Sequence, residues 1–393
     1  MPAGLRILFV TGEYPPMEGG VADYTHTLAC TLTGMGHTVA VLTATAAGSS
    51  PGLGAPEVFA WVRRWDWRMW RMLDERVASW RPAVVHIQYQ TAAFAMHPAI
   101  NLWAWRPWRR PGVLTAVTFH DLKVPYLLPK AQPLRRWVTA TLARSVDLTI
   151  TTNPEDTAQA RVWRPDIIEI PIGSNITPVP PPDFDPMQRR AALGLGAGAA
   201  LIGYFGFLNA SKGGEVLVDV LARLVAAGRD AHLLMIGGRT GASDPTNVAY
   251  GQRVEARIAA LGLGDRVHWT GHLPAAEVSA ALWTTDVCLL PYRDGASYRR
   301  GSFMAALAHG LPIVTTTPAV PYPDLVDGET VLLARPDDIA GLTAAVERVL
   351  DDPALRTRLG RAAARLAQRF RWEDIAAATL RAYEVALARR RGL

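Results

Sequence analysis

A proline-dense segment at residues 177–185, TPVPPPDFD, constrains the fold of this chain more than any other feature. Proline has no backbone N–H and is excluded from helix interiors and central strands, so this segment can only be a loop or a linker. Short β-branched runs alternate with amphipathic helical stretches on both sides of it. The sequence therefore predicts two α/β domains, residues 1–178 and 179–371, followed by a C-terminal helix within 372–393 that crosses back to the first domain.

The predicted strands are continuous apolar runs rather than alternating ones, which is typical of parallel sheets covered by helices on both faces. They are predicted at residues 5–11, 38–43, 84–88, 114–119, 147–151, 201–205, 232–236, 267–270, 287–290 and 312–316. Helices are predicted at residues 22–34, 213–227, 303–309 and 372–391. We expect two doubly wound, Rossmann-like domains that face each other across a cleft, because such sheets bind ligands beyond the carboxyl ends of their strands.

Composition excludes several classes of protein. With 49% apolar and 19% charged residues among 393, the chain is neither disordered nor collagen-like. A net charge of +6 is small for this length, so we expect no nucleic-acid partner. The two cysteines, Cys30 and Cys288, suit neither a disulfide framework nor a metal site. No run of about 18 apolar residues and no signal peptide are found in the sequence, so we expect a cytoplasmic protein. We also expect that it requires no metal or cofactor.

Two glycine-rich turns follow predicted strands and precede predicted helices. The first contains Gly19 and Gly20, and the second runs from Gly206 to Gly214 and includes Lys212. Backbone N–H groups and the helix dipole at such a turn suit a phosphate, and Lys212 adds a positive charge beside it. Neither turn matches a Walker A or dinucleotide-binding fingerprint. The alternative is that these glycines serve turn geometry alone.

A third candidate segment is residues 291–310, PYRDGASYRRGSFMAALAHG. Asp294, Ser297, Arg299 and Arg300 lie in a predicted loop, and Gly301–Ser302 begins a helix. Two arginines beside a helix N-terminus form an anion-binding arrangement, because a guanidinium group can bind a phosphate through two hydrogen bonds. The alternative is that both arginines are merely solvated.

His120 directly follows the predicted strand 114–119, so it lies at the sheet edge where ligands bind. A histidine there can donate or accept a proton near neutral pH, although a lone histidine is more often structural. No nucleophile elbow and no Ser/His/Asp arrangement competes with it.

Taken together, these segments resemble a retaining glycosyltransferase of the GT-B fold, family four, over nearly the whole chain. The similar stretches are ILFVTGEYPPMEGGVADYTHTLACTLTGMGHTVAVLT, VTFHD, YFGFLNASKGGEVLVDVL, VHWTGHLPAAEVSAALWTTDVCLLPY and MAALAHGLPIVTT. The resemblance implies transfer of a sugar from a nucleotide-diphosphate sugar to a saccharide or lipid-linked acceptor. In it, Gly19 and Gly20 abut the donor's diphosphate, His120 contacts the transferred sugar and Lys212 holds the phosphates.

The sequence departs from that family at three positions. Phe207 stands where the family has a phosphate-binding arginine, and the family's two glutamates fall on Ser297 and Ala305. We expect Arg299 and Arg300 to replace the arginine, Asp294 to supply a carboxylate, and Ser297 to orient the donor sugar only weakly. A degenerate member that binds a sugar nucleotide or a partner protein without catalysis remains the alternative. Epimerases and phosphorylases of the same fold also stay open.

Thirteen tryptophans are present, and eight of them lie between Trp61 and Trp108. If residues 61–80 form one helix, Trp61, Trp65 and Trp80 share a face opposite Arg63, Arg64, Arg68 and Arg71. Residues 103–110 interleave tryptophan and arginine in a loop. Both residue types favour an anionic bilayer surface, so residues 61–110 predict peripheral contact with the inner face of a membrane. The alternative is that 61–80 is a crossover helix packed on the sheet.

Overall fold

The computed structural model describes residues 4–17, 19–48, 55–105, 112–122, 132–238 and 245–391. The chain divides into two compact units. The first unit comprises Met1–Gly173 and Trp372–Leu393, and the second comprises Ser174–Arg371. The proline-dense segment 177–185 thus lies within the second unit, close to its start, and the C-terminal helix is part of the first.

The first unit is built on a seven-stranded sheet in which every strand pair is parallel, in the order β3-β2-β1-β4-β5-β6-β7. The strands are β1 Arg6–Thr11, β2 Thr38–Ala44, β3 Glu57–Val62, β4 Val84–Tyr89, β5 Leu114–Phe119, β6 Leu148–Thr151 and β7 Ile168–Glu169. The helices are α1 Gly20–Gly34, α2 Met69–Trp80, α3 Ala99–Trp103, α4 Gln132–Ser145, α5 Pro154–Arg161 and α13 Trp372–Arg391.

The second unit is built on a six-stranded parallel sheet in the order β10-β9-β8-β11-β12-β13. The strands are β8 Ala200–Phe205, β9 Ala231–Ile236, β10 Val267–Trp269, β11 Val287–Leu290, β12 Ile313–Thr316 and β13 Leu332–Ala334. The helices are α6 Pro186–Ala192, α7 Gly214–Ala226, α8 Pro245–Ala260, α9 Ala275–Trp283, α10 Gly301–Ala308, α11 Ile339–Asp351 and α12 Pro353–Ala367.

Both sheets confirm the predicted class of two doubly wound α/β domains. In β1, Ile7 and Phe9 belong to one core cluster and Leu8 and Val10 to the other, so the sheet of the first unit is covered on both faces. This double burial explains why its strands read as unbroken apolar runs. The C-terminal helix contributes Tyr383, which is fully buried, to the cluster of Ile7 and Phe9.

Three strands were not predicted, and all three lie at sheet edges. β7 is two residues long and β13 three, so each offers only a short apolar run. In β3, EVFAWV, exposed or half-buried residues separate the buried ones, so it lacks the continuous burial of a central strand. An edge strand has a neighbour on one side only and therefore carries a weaker apolar signal.

The predicted helix over residues 61–80 is wrong in its first half. Trp61 belongs to β3, and α2 begins only at Met69. Trp65 and Trp80 are buried in the core of the first unit together with Met69, so α2 packs on the sheet as a crossover helix. Its apolar face is therefore not available to a membrane. Trp61, Trp67 and Trp105 are exposed, whereas Trp108, Arg109 and Arg110 lie outside the described residues. No helix within the described ranges is long and apolar enough to cross a bilayer.

Candidate functional site

The loop between β8 and α7 is the backbone of the candidate site in the second unit. Gly206 follows β8 with φ +117, a backbone conformation that side-chain-bearing residues rarely adopt. Asn209 caps the turn Ala210–Lys212, because its side-chain oxygen accepts a hydrogen bond from the Lys212 backbone N–H at 3.2 Å. A Cβ on Gly213 would lie 2.2 Å from the carbonyl oxygen of Pro291, the residue after β11. Glycine therefore lets the loops after β8 and β11 touch.

Lys212 folds back beneath the start of this loop. Its Nζ lies 3.1 Å from the point that a Cβ on Gly206 would occupy. Burial, and to a smaller degree the charge of Arg300, lowers the pKa of Lys212 from 10.5 to about 8. No carboxylate pairs with this ammonium group in the part of the chain that the structure describes. Lys212 is thus a half-buried residue with a desolvated ammonium group, and it lacks a described protein counter-ion.

The loop between β11 and α10 places a second cation beside the first. Arg300 ion-pairs with Asp294, and Asp294 also binds Arg299 at 3.1 Å. Both arginine side chains are largely buried, at 11% and 13% exposure, so the alternative of merely solvated arginines is wrong. Arg300 Nη1 donates to Ser211 Oγ at 3.4 Å, which ties it to the loop of Lys212.

The first turn of α10 completes this cluster. The helix begins at Gly301 without a side-chain cap, so its first N–H groups are not used by a capping residue. Ser302 is buried, and its Oγ shares a hydrogen bond of 2.7 Å with Tyr292 Oη. A Cβ on Gly206 would lie 3.7 Å from Ser302 Cβ, which brings the helix start close to Lys212. We name Lys212, Arg300 and the α10 N-terminus the phosphate cradle.

The positions that resemble the family's two glutamates are buried and neutral. Ser297 Oγ shares a hydrogen bond of 2.9 Å with Tyr322 Oη, and Ala305 is fully buried in α10. Asp294 is held between two guanidinium groups, so its carboxylate orients Arg299 and Arg300 rather than standing alone. Its predicted role toward the donor, like that of Ser297, stays a prediction. Ser211 and Tyr292 were not predicted as site residues, although they lie within segments 206–214 and 291–310.

His120 lies in the first unit, directly after β5. Its backbone N–H donates to the Tyr89 carbonyl at 3.0 Å, and its Nε2 lies 2.8 Å from Gln88 Oε1. The ring meets that of Tyr24 edge-on, at 4.5 Å between centroids. Burial lowers the pKa of His120 to about 3, so the ring is neutral at physiological pH. The expectation that it exchanges a proton near neutral pH is therefore corrected: it can act through hydrogen bonds.

The N-terminus of α1, also in the first unit, holds an acidic side chain. The carboxyl group of Glu13 accepts hydrogen bonds from the backbone of Val21 and Ala22, and its pKa is raised mainly by burial. A Cβ on Gly19 would lie 2.3 Å from Glu13 Oε1, so a larger residue there would have to displace the Glu13 carboxyl group. The role of Gly19 and Gly20 toward a diphosphate stays a prediction, and it requires Glu13 to be displaced or protonated.

The structure therefore gathers Lys212, Asp294, Arg299, Arg300, Gly301 and Ser302 in one cluster of the second unit, with Ser297 adjoining it in the same loop. Gly19, Gly20 and His120 belong to the first unit. Among the described residues, no group of three or more His, Cys, Asp or Glu side chains could hold a metal ion. The chemistry that this cluster suits is the binding of a strongly charged anion.

Family comparisons identify the chain. A model described as "Glycosyl transferases group 1" matches residues 199–352, and one described as "Glycosyl transferase 4-like domain" matches residues 19–173. The chain belongs to the group 1 glycosyltransferases. This glycosyltransferase is 28% identical to a glycogen synthase of Mycobacterium tuberculosis, over 99% of the chain and 96% of that protein. It is also 28% identical to the lipopolysaccharide core mannosyltransferase LpsB of Rhizobium meliloti, over 72% and 82%.

Solved structures agree on the fold. Sucrose-phosphate synthase of Thermosynechococcus elongatus superposes with a TM-score of 0.77 at 23% identity, over 98% of this glycosyltransferase and 99% of that chain. Anabaena HepE, solved with UDP and glucose, superposes with a TM-score of 0.75 at 17% identity, over 97% and 100%. The glycosyltransferase therefore has the GT-B fold that its sequence resembles.

Proposed function

We propose that this glycosyltransferase moves a sugar from a nucleoside-diphosphate sugar to an acceptor hydroxyl, with retention of the anomeric configuration. The observation that carries the proposal is the phosphate cradle: a desolvated lysine beside a largely buried arginine at an uncapped helix N-terminus. Two like charges in one buried site repel each other and are poorly solvated, and an anion bound between them offsets both costs. A diphosphate supplies that anion.

The positive groups of the phosphate cradle indicate the class of donor. Lys212 offers a compact positive charge, Arg300 offers a planar group, and the first N–H groups of α10 point along the helix dipole. The UDP in Anabaena HepE, a protein of the same fold, supports a nucleoside diphosphate here. Since Ser297 and Ala305 cannot act as carboxylates, recognition of the donor depends on the cradle more than on acidic side chains.

The reaction needs stabilisation of the leaving group more than a protein base. The bond between the anomeric carbon and the diphosphate oxygen breaks, and the acceptor oxygen bonds to the same face of that carbon. The acceptor's proton passes to an oxygen of the departing diphosphate. Lys212 and Arg300 stabilise the negative charge that develops there. A neutral His120 suits this chemistry, because it binds a sugar hydroxyl without taking up the proton.

Calorimetry and transfer assays test this proposal together. We expect UDP or GDP to bind, and one of the UDP- or GDP-sugars to be consumed with formation of a product of retained configuration, read from its anomeric proton coupling. Binding without turnover on any donor would favour the alternative, a non-catalytic protein that binds sugar nucleotides. No binding of either nucleotide would contradict the donor class itself.

We further propose a lipid or lipid-linked acceptor, reached by peripheral docking of the first unit on an anionic membrane. The face we assign to this contact lies on α3 and α4, which pack against each other. Leu134 and Trp137 are 62% and 53% exposed on the first turns of α4, and Trp105 is 62% exposed after α3. Arg136, the residue before Trp137 in the sequence, is also exposed. Tryptophan favours the headgroup region, and arginine is attracted to anionic lipid.

Co-sedimentation with vesicles tests this contact. The protein should bind phosphatidylglycerol-containing vesicles at low salt and neutral phosphatidylcholine vesicles much less. Leu134→Glu/Trp137→Ala should lower binding, whereas Met187→Ala, an exposed apolar residue of the second unit, should not. If the wild-type protein stays in the supernatant at low salt, a water-soluble acceptor becomes the better assignment.

A further inference from the structure

Gln88 is a buried polar residue that the sequence analysis did not single out. It lies near the end of β4, opposite Thr118 of β5, and its side chain is fully buried. The one hydrogen bond of that side chain joins Oε1 to His120, and Nε2 has no hydrogen-bond partner in the described ranges. A buried amide that leaves a donor unsatisfied lowers stability relative to an apolar residue of the same size. Folding alone therefore gives no reason for a glutamine here.

The contact with His120 favours one tautomer of the imidazole ring. Because Gln88 Oε1 is an acceptor only, a hydrogen bond at this 2.8 Å contact requires the facing ring nitrogen, Nε2, to carry the hydrogen. The backbone bond to Tyr89 and the edge-on contact with Tyr24 hold the ring in place from two other elements. Nδ1 is then an acceptor, and it has no partner among the described residues.

We propose that Gln88 is a positioning residue that holds His120 as its Nε2–H tautomer, so that Nδ1 accepts a hydrogen bond from a hydroxyl group of the sugar substrate. The inference rests on the proposed function, which places a substrate hydroxyl at His120. It goes beyond that function because it assigns a role to Gln88, which lies on β4, a strand that contains no predicted site residue. It also states which ring nitrogen meets the substrate.

A neighbouring histidine shows what a purely structural ring looks like in this sheet. His86 lies two residues before Gln88 on β4, and both of its nitrogens are occupied. Nδ1 is 2.5 Å from Tyr383 Oη and Nε2 is 2.8 Å from Thr118 Oγ1. Burial lowers the pKa of His86 to about 3, as it does for His120, so both rings are neutral. Of these two rings, only that of His120 keeps a nitrogen without a hydrogen-bond partner among the described residues.

The tautomer can be measured without any activity assay. Long-range ¹H–¹⁵N correlation spectra of ¹⁵N-histidine-labelled protein distinguish the two neutral tautomers, and His120→Ala assigns the signal among nine histidines. We expect His120 to be protonated at Nε2 alone in the wild type. In Gln88→Met, which keeps the side-chain length but removes the amide, we expect a mixture of tautomers. An Nδ1–H wild type, or an unchanged spectrum in the variant, would overturn the proposal.

Kinetics supply the second readout. Gln88→Met should lower kcat by about tenfold or more, the loss of roughly one oriented hydrogen bond, while KM for the donor stays the same. Its melting temperature should not fall, because the substitution removes an unsatisfied buried donor. Gln90→Met is the matched control, since Gln90 binds the Ala93 backbone rather than His120, and it should keep wild-type kcat.

The two readouts separate the inference from the function on which it rests. A mixed tautomer with wild-type kcat in Gln88→Met would overturn the proposal, because positioning would then have no catalytic consequence. A fall in melting temperature that accounts for the lost activity would also overturn it. If the wild-type protein transfers no sugar at all, the proposed function fails, and the spectra alone still decide whether Gln88 holds the tautomer.

Discussion

Replacing Lys212 with methionine should make the protein more stable and weaken its binding of a nucleoside diphosphate. Burial lowers the lysine pKa from 10.5 to about 8, and each unit of pKa corresponds to about 1.4 kcal/mol between the protonation states. The charged side chain therefore costs the folded state about 3 kcal/mol at pH 7. Methionine has a similar length and no charge, so Lys212→Met should recover much of that free energy.

The size of this stability effect changes with pH in a defined way. A lysine with a lowered pKa binds fewer protons in the folded state than in the unfolded state. Its penalty is complete below about pH 8 and disappears as pH rises through 10.5. The stability difference between Lys212→Met and wild type should therefore be largest at pH 7 and shrink in alkaline buffer. If Lys212 instead stabilised the fold through an ion pair, Lys212→Met would be less stable than wild type at pH 7.

Urea unfolding and calorimetry measure the two effects. Because the chain has two units, tryptophan fluorescence and circular dichroism should be recorded together to separate their transitions. Nucleotide affinity should fall by about 1.5–3 kcal/mol, the range for a hydrogen bond to a charged group. Arg223→Met, which removes an exposed cation of α7, is the matched control and should alter neither property. A destabilised Lys212→Met with wild-type nucleotide affinity would refute the reasoning.

Three other changes test the role of the phosphate cradle and of His120. In the wild type, nucleotide affinity should stay constant below about pH 8 and weaken above it, because Lys212 loses its proton. Calorimetry between pH 6.5 and 9.5 measures this, and an affinity that does not change over that range would contradict it. Arg300→Ala should weaken UDP or GDP binding by about tenfold or more, whereas Arg335→Ala, on another loop, should not; equal effects would remove Arg300 from the cradle. His120→Ala should lower kcat far more than nucleotide affinity, because His120 belongs to the other unit, and retained transfer would make it a structural histidine.

The sequence predicted the parts of the fold that depend on local periodicity. Central strands such as 114–119 and 287–290 match the structure residue for residue, because burial on both sheet faces leaves an unbroken apolar run. The same reasoning failed at Trp61. A short run of alternating apolar residues suits either a strand or a helix, and only the pairing of β3 with β2 decides between them.

In the candidate site too, local sequence predicted some features, and others depend on contacts between distant segments. Placing Lys212, Arg300 and His120 beyond strand ends required only the order of strands and loops. Other features of the site depend on contacts between separate segments of the chain. These are the ion pair of Arg300 with Asp294, the neutral state of His120 and the hydrogen bond between Gln88 and His120. Glu13 is the clearest example of a site residue that the sequence does not predict. Its carboxyl group lies at the N-terminus of α1 only because the loop before that helix folds back past Gly19.

A crystal structure of the protein with a bound nucleoside diphosphate would show where the diphosphate of the donor binds. We predict that the β-phosphate lies within hydrogen-bond distance of Lys212 Nζ and of the first N–H groups of α10, with the Arg300 guanidinium against the same phosphate. A nucleotide bound elsewhere, with no anion beside Lys212, would exclude the phosphate cradle as the donor site.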